Sequence, residues 1–201
     1  IAGACVGSVY ALVAVGLNLT FWTTKTLNFG QGAVMMLCAI STALLTAQGL
    51  SNGVAIMAGV AIVAIVGVIV ERIAVRPALK TAGSMGWVIA TLGFGILLQG
   101  ITSKFFGSQA IPFPEVLFTV QDVIDIGGQN ISLQYVSIFV VSILIIVVLE
   151  GLTRYTVLGT AIRGTAQDME LAIVQGLPVN LIVSGSFVLS SIMAGIAGIL
   201  T

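Results

Sequence analysis

Residues 53–70 read GVAIMAGVAIVAIVGVIV, a stretch without a single charged side chain. It completes a run of 45 residues between Lys25 and Glu71 that carries no charge at all. A helix needs about 20 mostly apolar residues to cross the hydrocarbon layer of a membrane. The run is therefore long enough for two crossings, with a turn at Ser51-Asn52-Gly53.

The rest of the chain has the same character. Apolar residues make up 58% of the 201 positions, seven basic residues balance seven acidic ones, and the mean hydropathy is +1.19. Soluble domains carry about 25% charged residues. Four further charge-free runs, 1–24, 81–103, 126–149 and 171–201, are each long enough to cross. Continuous apolar runs favour helices over a β-barrel, so we predict an all-α polytopic transmembrane bundle of about six spans.

The domain organisation is simple. We expect residues 1–201 to form one transmembrane domain, and to be a fragment lacking further spans, because position 1 is not Met and Thr201 ends an apolar run. Cys5 and Cys38 fall in separate predicted spans, where we interpret them as small packing residues. The spans are also rich in glycine, which lets membrane helices approach closely.

Basic residues in short loops indicate the orientation, because they resist translocation. The loop 72–85 carries three and the loop 151–181 carries two, whereas the loop 104–133 carries only Lys104 beside three acidic residues. Two predicted spans separate the two basic loops, so these lie on one face. We predict that both are cytoplasmic and that 104–133 is external, with a short hairpin between Val120 and Ile131.

A polar, glycine-bearing segment interrupts the first apolar region. It runs from Asn18-Leu19-Thr20 to Asn28-Phe29-Gly30-Gln31-Gly32. Backbone can unwind at membrane depth only where protein or a water-filled cavity satisfies its amides, and transporters bind substrates at such breaks. Free N–H groups at the start of the next helix could then meet a carboxylate. An ordinary cytoplasmic turn is the alternative, and the residues alone do not decide between the two.

Two more segments stand out at the predicted cytoplasmic face. Residues from Ala161 to Val174 have helical character with several exposed charges, and they end at Gly176 and Pro178. Such a helix suits docking onto a soluble partner, although a solvated surface helix is the alternative. Around Glu71-Arg72, we expect arginines to hold a helix end at the headgroup layer and Pro77 to stop the helix.

The usual catalytic residues are missing. The chain has no His, no clustered thiols, no nucleophile beside a base and no Gly-Lys-Ser/Thr phosphate loop. We therefore predict no enzyme, no catalytic or metal-binding residue and no cofactor. Transport across the membrane or structural support remains.

Several motifs resemble the membrane permease subunits of ATP-binding-cassette importers for branched-chain amino acids. They cover nearly the whole chain: Tyr10-Ala11-Leu12, Asn28 to Gly32, Glu71-Arg72 with Arg76-Pro77, Thr91-Leu92-Gly93 with Leu98-Gln99, Leu158-Gly159, Arg163 with Gln167-Asp168, and Ala194 to Gly198. The family carries a cytoplasmic Glu-Ala-Ala-x-x-x-Gly loop that fits a groove on its ATPase. Here Glu170, Ala172 and Gly176 keep that spacing, Leu171 replaces the middle Ala, and Gln31 replaces a His typical of the family.

The resemblance implies a permease in the bacterial inner membrane that passes Leu, Ile, Val or a similar small amphipathic solute inward. It implies two ABC ATPase subunits, a second permease and a periplasmic or extracellular solute-binding protein as partners, in a lipid bilayer and without nucleic acid. The expected substrate pathway comprises Asn18, Asn28, Phe29, Gly30, Gln31, Gly32, Thr91 and Gln99. The expected ATPase-coupling residues, in a cytoplasmic loop 151–181, are Arg163, Gln167, Asp168, Glu170, Ala172, Gly176 and Pro178.

Two other functions stay open at this point. A secondary transporter or channel, for urea or short amides among other solutes, would need no ATPase. Such transporters usually place ionisable residues inside spans, and the sequence predicts none well inside one. A membrane scaffold would carry no solute.

Overall fold

The computed structural model describes residues 2–80, 86–107, 123–126 and 129–201. Its elements in chain order are α1 (Ala2–Thr24), α2 (Gln31–Ala47), α3 (Asn52–Val70), a π-helical turn (Glu71–Val75), α4 (Arg76–Lys80), α5 (Gly86–Phe106), β1 (Val123–Ile126), β2 (Gln129–Ser132), α6 (Leu133–Tyr155), α7 (Val157–Gln167), α8 (Met169–Val174) and α9 (Val179–Leu200).

The predicted all-α polytopic bundle is confirmed. Within the described residues, α1, α3 with its extension, α5, α6 and α9 are long and apolar enough to cross a membrane. The sixth predicted span corresponds to α2, a shorter apolar helix of 17 residues. Each charge-free run therefore contains the helix expected of it, which makes the chain a multi-pass cell-membrane protein.

The loop between α5 and α6, which the charge distribution predicts to be external, contains the predicted hairpin. Strands β1 and β2 pair antiparallel, with Val123 opposite Ser132 and Ile126 opposite Gln129. Because β2 continues to Ser132, the following span begins at Leu133 rather than near residue 126. Residues 108–122 and the two glycines of the hairpin turn lie outside the described residues.

The last helix is the centre of the bundle. α9 packs against α1, α2 and α3, and it is the most buried of the candidate spans in the described part of the chain. Small residues set its distance from α3: a Cβ added at Gly67 would stand 2.6 Å from the Ser191 hydroxyl and 2.8 Å from the Phe187 carbonyl oxygen. The predicted close packing at glycines therefore occurs along α9, whereas Gly3 and Gly7 face open space.

One predicted boundary is wrong. Pro77 does not end the third span, because the helix continues through the π-helical turn and α4 to Lys80. A proline ring clashes with the carbonyl four residues earlier in a regular α-helix. Here that earlier residue is Ile73, which lies in the wider π-helical turn, and the widening gives the ring room.

Hydrogen bonds gather the helix ends at one end of the bundle. Lys25 after α1 bonds α7, and Arg163 of α7 bonds the Arg154 carbonyl at the end of α6. Glu71 after α3 bonds Ser184 near the start of α9. We call this the basic end, because every basic residue except Lys104 belongs to elements that meet there. It is the end that the charge distribution predicts to be cytoplasmic.

Candidate functional site

The polar break between α1 and α2 lies inside the bundle. Lys25 has a left-handed backbone (φ 56°), which ends α1 and turns the chain back. The Gln31 amide nitrogen then donates to the Val13 carbonyl at 3.5 Å, and the Ser190 hydroxyl donates to the Gln31 amide oxygen at 3.4 Å. Val13 and Ser190 lie near the middle of α1 and α9, roughly 16 Å from the basic end at about 1.5 Å of rise per residue. The chain therefore re-enters the bundle before α2 begins.

Local hydrogen bonds involve part of the backbone of this re-entrant segment, which we define as residues 25–32. The Asn28 side-chain oxygen accepts from the Gly30 N–H at 3.1 Å, and the Asn28 carbonyl accepts from the Gln31 N–H at 3.2 Å. The Thr24 and Thr26 hydroxyls pair at 2.7 Å. Thr26, Asn28 and Gln31 are all buried. Because protein surrounds the buried side chains of the break and several of its backbone groups are bonded internally, the break is compatible with irregular backbone at membrane depth.

Glycines let the re-entrant segment pass between the helices. A Cβ at Gly95 of α5 would stand 3.0 Å from the Gly30 Cα, and a Cβ at Gly30 would stand 3.0 Å from the Thr91 carbonyl oxygen. On the other side, a Cβ at Gly16 of α1 would stand 3.0 Å from the Gln31 amide nitrogen. The segment is held between α1 and α5 with no room for larger residues.

An aromatic pair marks the open side of the segment. The Phe29 and Trp87 rings stack with centroids 6.0 Å apart and 13° between their planes, and half of the Phe29 surface is exposed. Gly32, in the first turn of α2, is also exposed, and the position of its missing Cβ has no atom within 4 Å. An apolar surface and an open helix N-terminus thus lie on the same short segment.

The structure brings together six of the eight residues predicted for the substrate pathway. Asn28, Phe29, Gly30 and Gln31 belong to the segment, and buried Thr91 packs against it while its hydroxyl bonds the Trp87 carbonyl at 2.9 Å. Gly32 follows at the open start of α2. Two others lie elsewhere: Gln99 is exposed on α5, and Asn18 is exposed beside a cavity of about 130 Å³ between α1 and α6. Glu150 and Thr153 line that cavity with it.

The predicted coupling loop is two helices rather than one. α7 begins at the Thr156 cap, whose hydroxyl accepts from the Gly159 N–H at 3.1 Å. Asp168 interrupts the expected helix from Ala161 to Val174, because its side chain caps α8 by accepting from the Glu170 and Leu171 N–H groups at 2.9 and 3.0 Å. Gly176 then ends the segment with φ 79°, a conformation that favours glycine.

Most predicted coupling residues share an exposed surface at the basic end. Arg163, Gln167, Asp168, Glu170, Gly176 and Pro178 are exposed. Ala172 differs, since it is buried against Val75 and Val179 in an apolar cluster. The same surface carries apolar side chains that sequence patterns did not single out, with Val157 88% and Val174 83% exposed. We call residues 155–178 the coupling segment.

The sequence reasoning did not predict that Glu71, directly after α3, is buried and paired. The side chain of Glu71 is 2% exposed, its Oε1 accepts from Arg76 Nε at 2.8 Å, and its Oε2 accepts from the Ser184 hydroxyl at 2.9 Å. The only sequence signal is a glutamate at the end of an apolar run with an arginine five residues later. Five residues do not share a face of a regular α-helix, so the pair could not be read from spacing.

The chain is similar to known transport permeases. The family model for the permease component of branched-chain amino acid transport systems matches residues 1–201. The chain is 29% identical to the high-affinity branched-chain amino acid transport system permease protein LivH of Escherichia coli K12, over 98% of this chain and 68% of that protein. It is 32% identical to a probable LivH of Methanocaldococcus jannaschii, over 93% and 60% of the two chains.

A sugar permease is also similar. The galactofuranose transporter permease protein YtfT of Escherichia coli K12 is 26% identical over 94% of this chain and 52% of its own length. No solved structure matches the chain.

Proposed function

The chain belongs to the family of permease components of branched-chain amino acid transport systems, and from that premise we propose that it carries Leu, Ile or Val inward while a separate ATPase supplies the energy. The observation that carries the proposal is the re-entrant segment, a buried break at mid-depth whose open side combines an apolar surface with a helix N-terminus. Those two features match the two ends of a branched-chain amino acid.

The carboxylate of the solute would face the start of α2. Helix N-termini attract anions because their first N–H groups lack partners within the helix, and Gly32 leaves that position open. The Gln31 amide is held by hydrogen bonds of 3.4 and 3.5 Å, at the long limit for such bonds. Weakly held donors and acceptors can exchange partners when a solute arrives.

The branched side chain would contact the aromatic pair. Phe29 and Trp87 present a partly exposed apolar surface next to Gly30, and apolar contact stabilises by about 25 cal/mol per Å² removed from water. Asn28 shapes the segment through its bond to the Gly30 N–H. In this proposal Asn28 positions the backbone, and Gln31 and Gly32 meet the solute.

The ATPase would bind the coupling segment. Its surface mixes charged side chains such as Arg163 and Glu170 with exposed apolar ones such as Val157 and Val174. Protein interfaces combine an apolar centre with a polar rim. By family membership, we also propose a second permease subunit and an external solute-binding protein as partners. Asn18 and Gln99, which lie away from Gln31, would line other parts of the route.

Reconstitution tests this function. The permease is assembled in lipid vesicles with its candidate ATPase, second permease and solute-binding protein, and uptake of labelled leucine is measured with ATP or with a non-hydrolysable analogue. We expect uptake only with ATP, and competition by isoleucine and valine. Uptake that follows a proton or sodium gradient without ATP would contradict the proposal. Uptake of galactofuranose without uptake of leucine would show that the transported solute is a sugar and not a branched-chain amino acid.

A further inference from the structure

Glu71 is a buried charge tied to two different helices. Its partners are Arg76 of α4 and Ser184 of α9, which lies 113 residues later in the chain. Moving a carboxylate out of water costs several kcal/mol unless its partners compensate. A group of this kind holds its partners firmly, because any movement that separates them leaves the charge uncompensated.

The π-helical turn makes the pairing with Arg76 possible. In this turn the Arg76 N–H donates to the Glu71 carbonyl, and the Arg76 side chain donates to the Glu71 carboxylate. Both contacts span five residues, which is the repeat of π-helical hydrogen bonding. A regular α-helix would turn Arg76 away from Glu71. Short π-helical turns occur frequently at functional sites.

The position of Glu71 links it to the coupling segment. Ala172 of α8 packs in one apolar cluster with Val70, which precedes the Glu71 turn, with Val75, which ends it, and with Val183, which precedes Ser184. α9 begins at Val179, directly after the coupling segment. The same helix carries Ser190, the partner of Gln31. Contacts therefore run from the coupling segment to the start of α9 and Glu71, and along α9 from there to the re-entrant segment.

We infer that Glu71 is a positioning residue for transport, because its hydrogen bonds hold the start of α9 against the end of α3. Through this connection, movement of the coupling segment shifts the re-entrant segment. The inference rests on the proposed function, since it names the joint through which the ATPase would act. Ser184 provides the hydroxyl by which α9 bonds Glu71. Arg76, whose side chain is 35% exposed, supplies the compensating charge.

The test separates coupling from stability. Arg76→Met alone leaves a buried carboxylate without its cation and should unfold at a clearly lower temperature, whereas replacing both members of a buried pair is often neutral or stabilising. The double variant Glu71→Leu/Arg76→Met, which removes both the ion pair and the acceptor for Ser184, should therefore regain the wild-type thermal midpoint. We expect it to assemble with the ATPase but to lose leucine uptake by roughly tenfold, within the usual range of coupling energies.

A second variant isolates the link to α9. Ser184→Ala removes the hydroxyl that crosses to Glu71, and its matched control is Ser186→Ala, because the buried Ser186 hydroxyl bonds the Ile182 carbonyl of its own helix. Stimulation of ATP hydrolysis by the solute-loaded binding protein should fall in Ser184→Ala and persist in Ser186→Ala. This readout measures coupling directly.

The outcomes are distinguishable. If the double variant regains stability and transports at the wild-type rate, Glu71 is structural and the inference is overturned. Equal stimulation in Ser184→Ala and Ser186→Ala would also overturn it. If the wild-type assembly itself shows no ATP-dependent leucine uptake, the proposed function fails, and the failure is then not specific to Glu71.

Discussion

The ammonium nitrogen of Lys25 lies 3.1 Å from the carbonyl oxygen of Ala166, so the residue that begins the re-entrant segment bonds the last turn of α7. The same nitrogen lies 5.9 Å from the centre of the Phe21 ring. Carbonyls at a helix C-terminus lack partners within the helix and attract cations. One contact therefore joins the re-entrant segment to the coupling segment.

Replacing Lys25 by Met should weaken that connection. Met keeps the length of the side chain but cannot donate to Ala166, so we expect ATP-driven leucine uptake to fall roughly twofold to fivefold, the scale of a cation at a helix C-terminus. Lys104→Met is the matched control, because Lys104 ends α5 away from the basic end. Equal uptake in both variants would mean that the Lys25 contact has no part in transport.

Replacing Gln31 by Leu tests the solute site. The substitution keeps similar volume and removes the amide that bonds Val13 and Ser190. We expect the apparent KM for leucine uptake at saturating ATP to rise roughly tenfold, the scale of one hydrogen bond to a charged group. Gln134→Leu, at the start of α6, is the control. An unchanged KM in Gln31→Leu would place the solute elsewhere.

A pair of glycines on α5 tests the packing of the re-entrant segment. A Cβ at Gly95 would stand 3.0 Å from the Gly30 Cα, whereas a Cβ at Gly93 has no atom within 4 Å. Gly95→Ala should cost about 1–3 kcal/mol of stability through overpacking. Gly93→Ala should be neutral or slightly stabilising, because alanine favours a helix by up to about 1 kcal/mol. Thermal unfolding in detergent measures both; a midpoint in Gly95→Ala as high as in Gly93→Ala would contradict the close contact.

Two substitutions at Asp168 distinguish its role as a helix cap from the role of its charge in ATPase docking. Asp168→Asn keeps a good helix cap and removes only the charge, whereas Asp168→Lys removes the cap and reverses the charge. We expect Asp168→Asn to retain the ATPase in a pull-down and Asp168→Lys to lose it, with equal membrane insertion of the two. Retention of the ATPase by Asp168→Lys would argue against docking at α8.

Sequence patterns predicted the spans because the determining property is local. A charge-free run of sufficient length forms a crossing whatever its neighbours are, and α1, α3, α5, α6 and α9 follow that rule. The hairpin also follows from local residues, since Gly127-Gly128 separates two short strands. Motifs of the permease family lie in the two stretches of sequence that form the re-entrant segment and the coupling segment.

Long-range contacts were beyond those patterns. The depth of the break depends on where Gln31 meets Val13 and Ser190, 18 and 159 residues away. The continuation of the helix past Pro77 depends on a π-helical turn, which the spacing of apolar residues in the sequence does not predict. The buried pairing of Glu71 was not predicted, because its partner Ser184 lies 113 residues away.

The proposed transport mechanism is tested most directly by determining which side of the membrane the coupling segment faces. Val174→Cys places a thiol at a position that is 83% exposed, while the native Cys5 and Cys38 are buried. A membrane-impermeant thiol reagent should label Val174→Cys in inside-out vesicles, be blocked there by the bound ATPase, and leave intact spheroplasts unlabelled. Labelling from the outer side of intact spheroplasts would contradict the account.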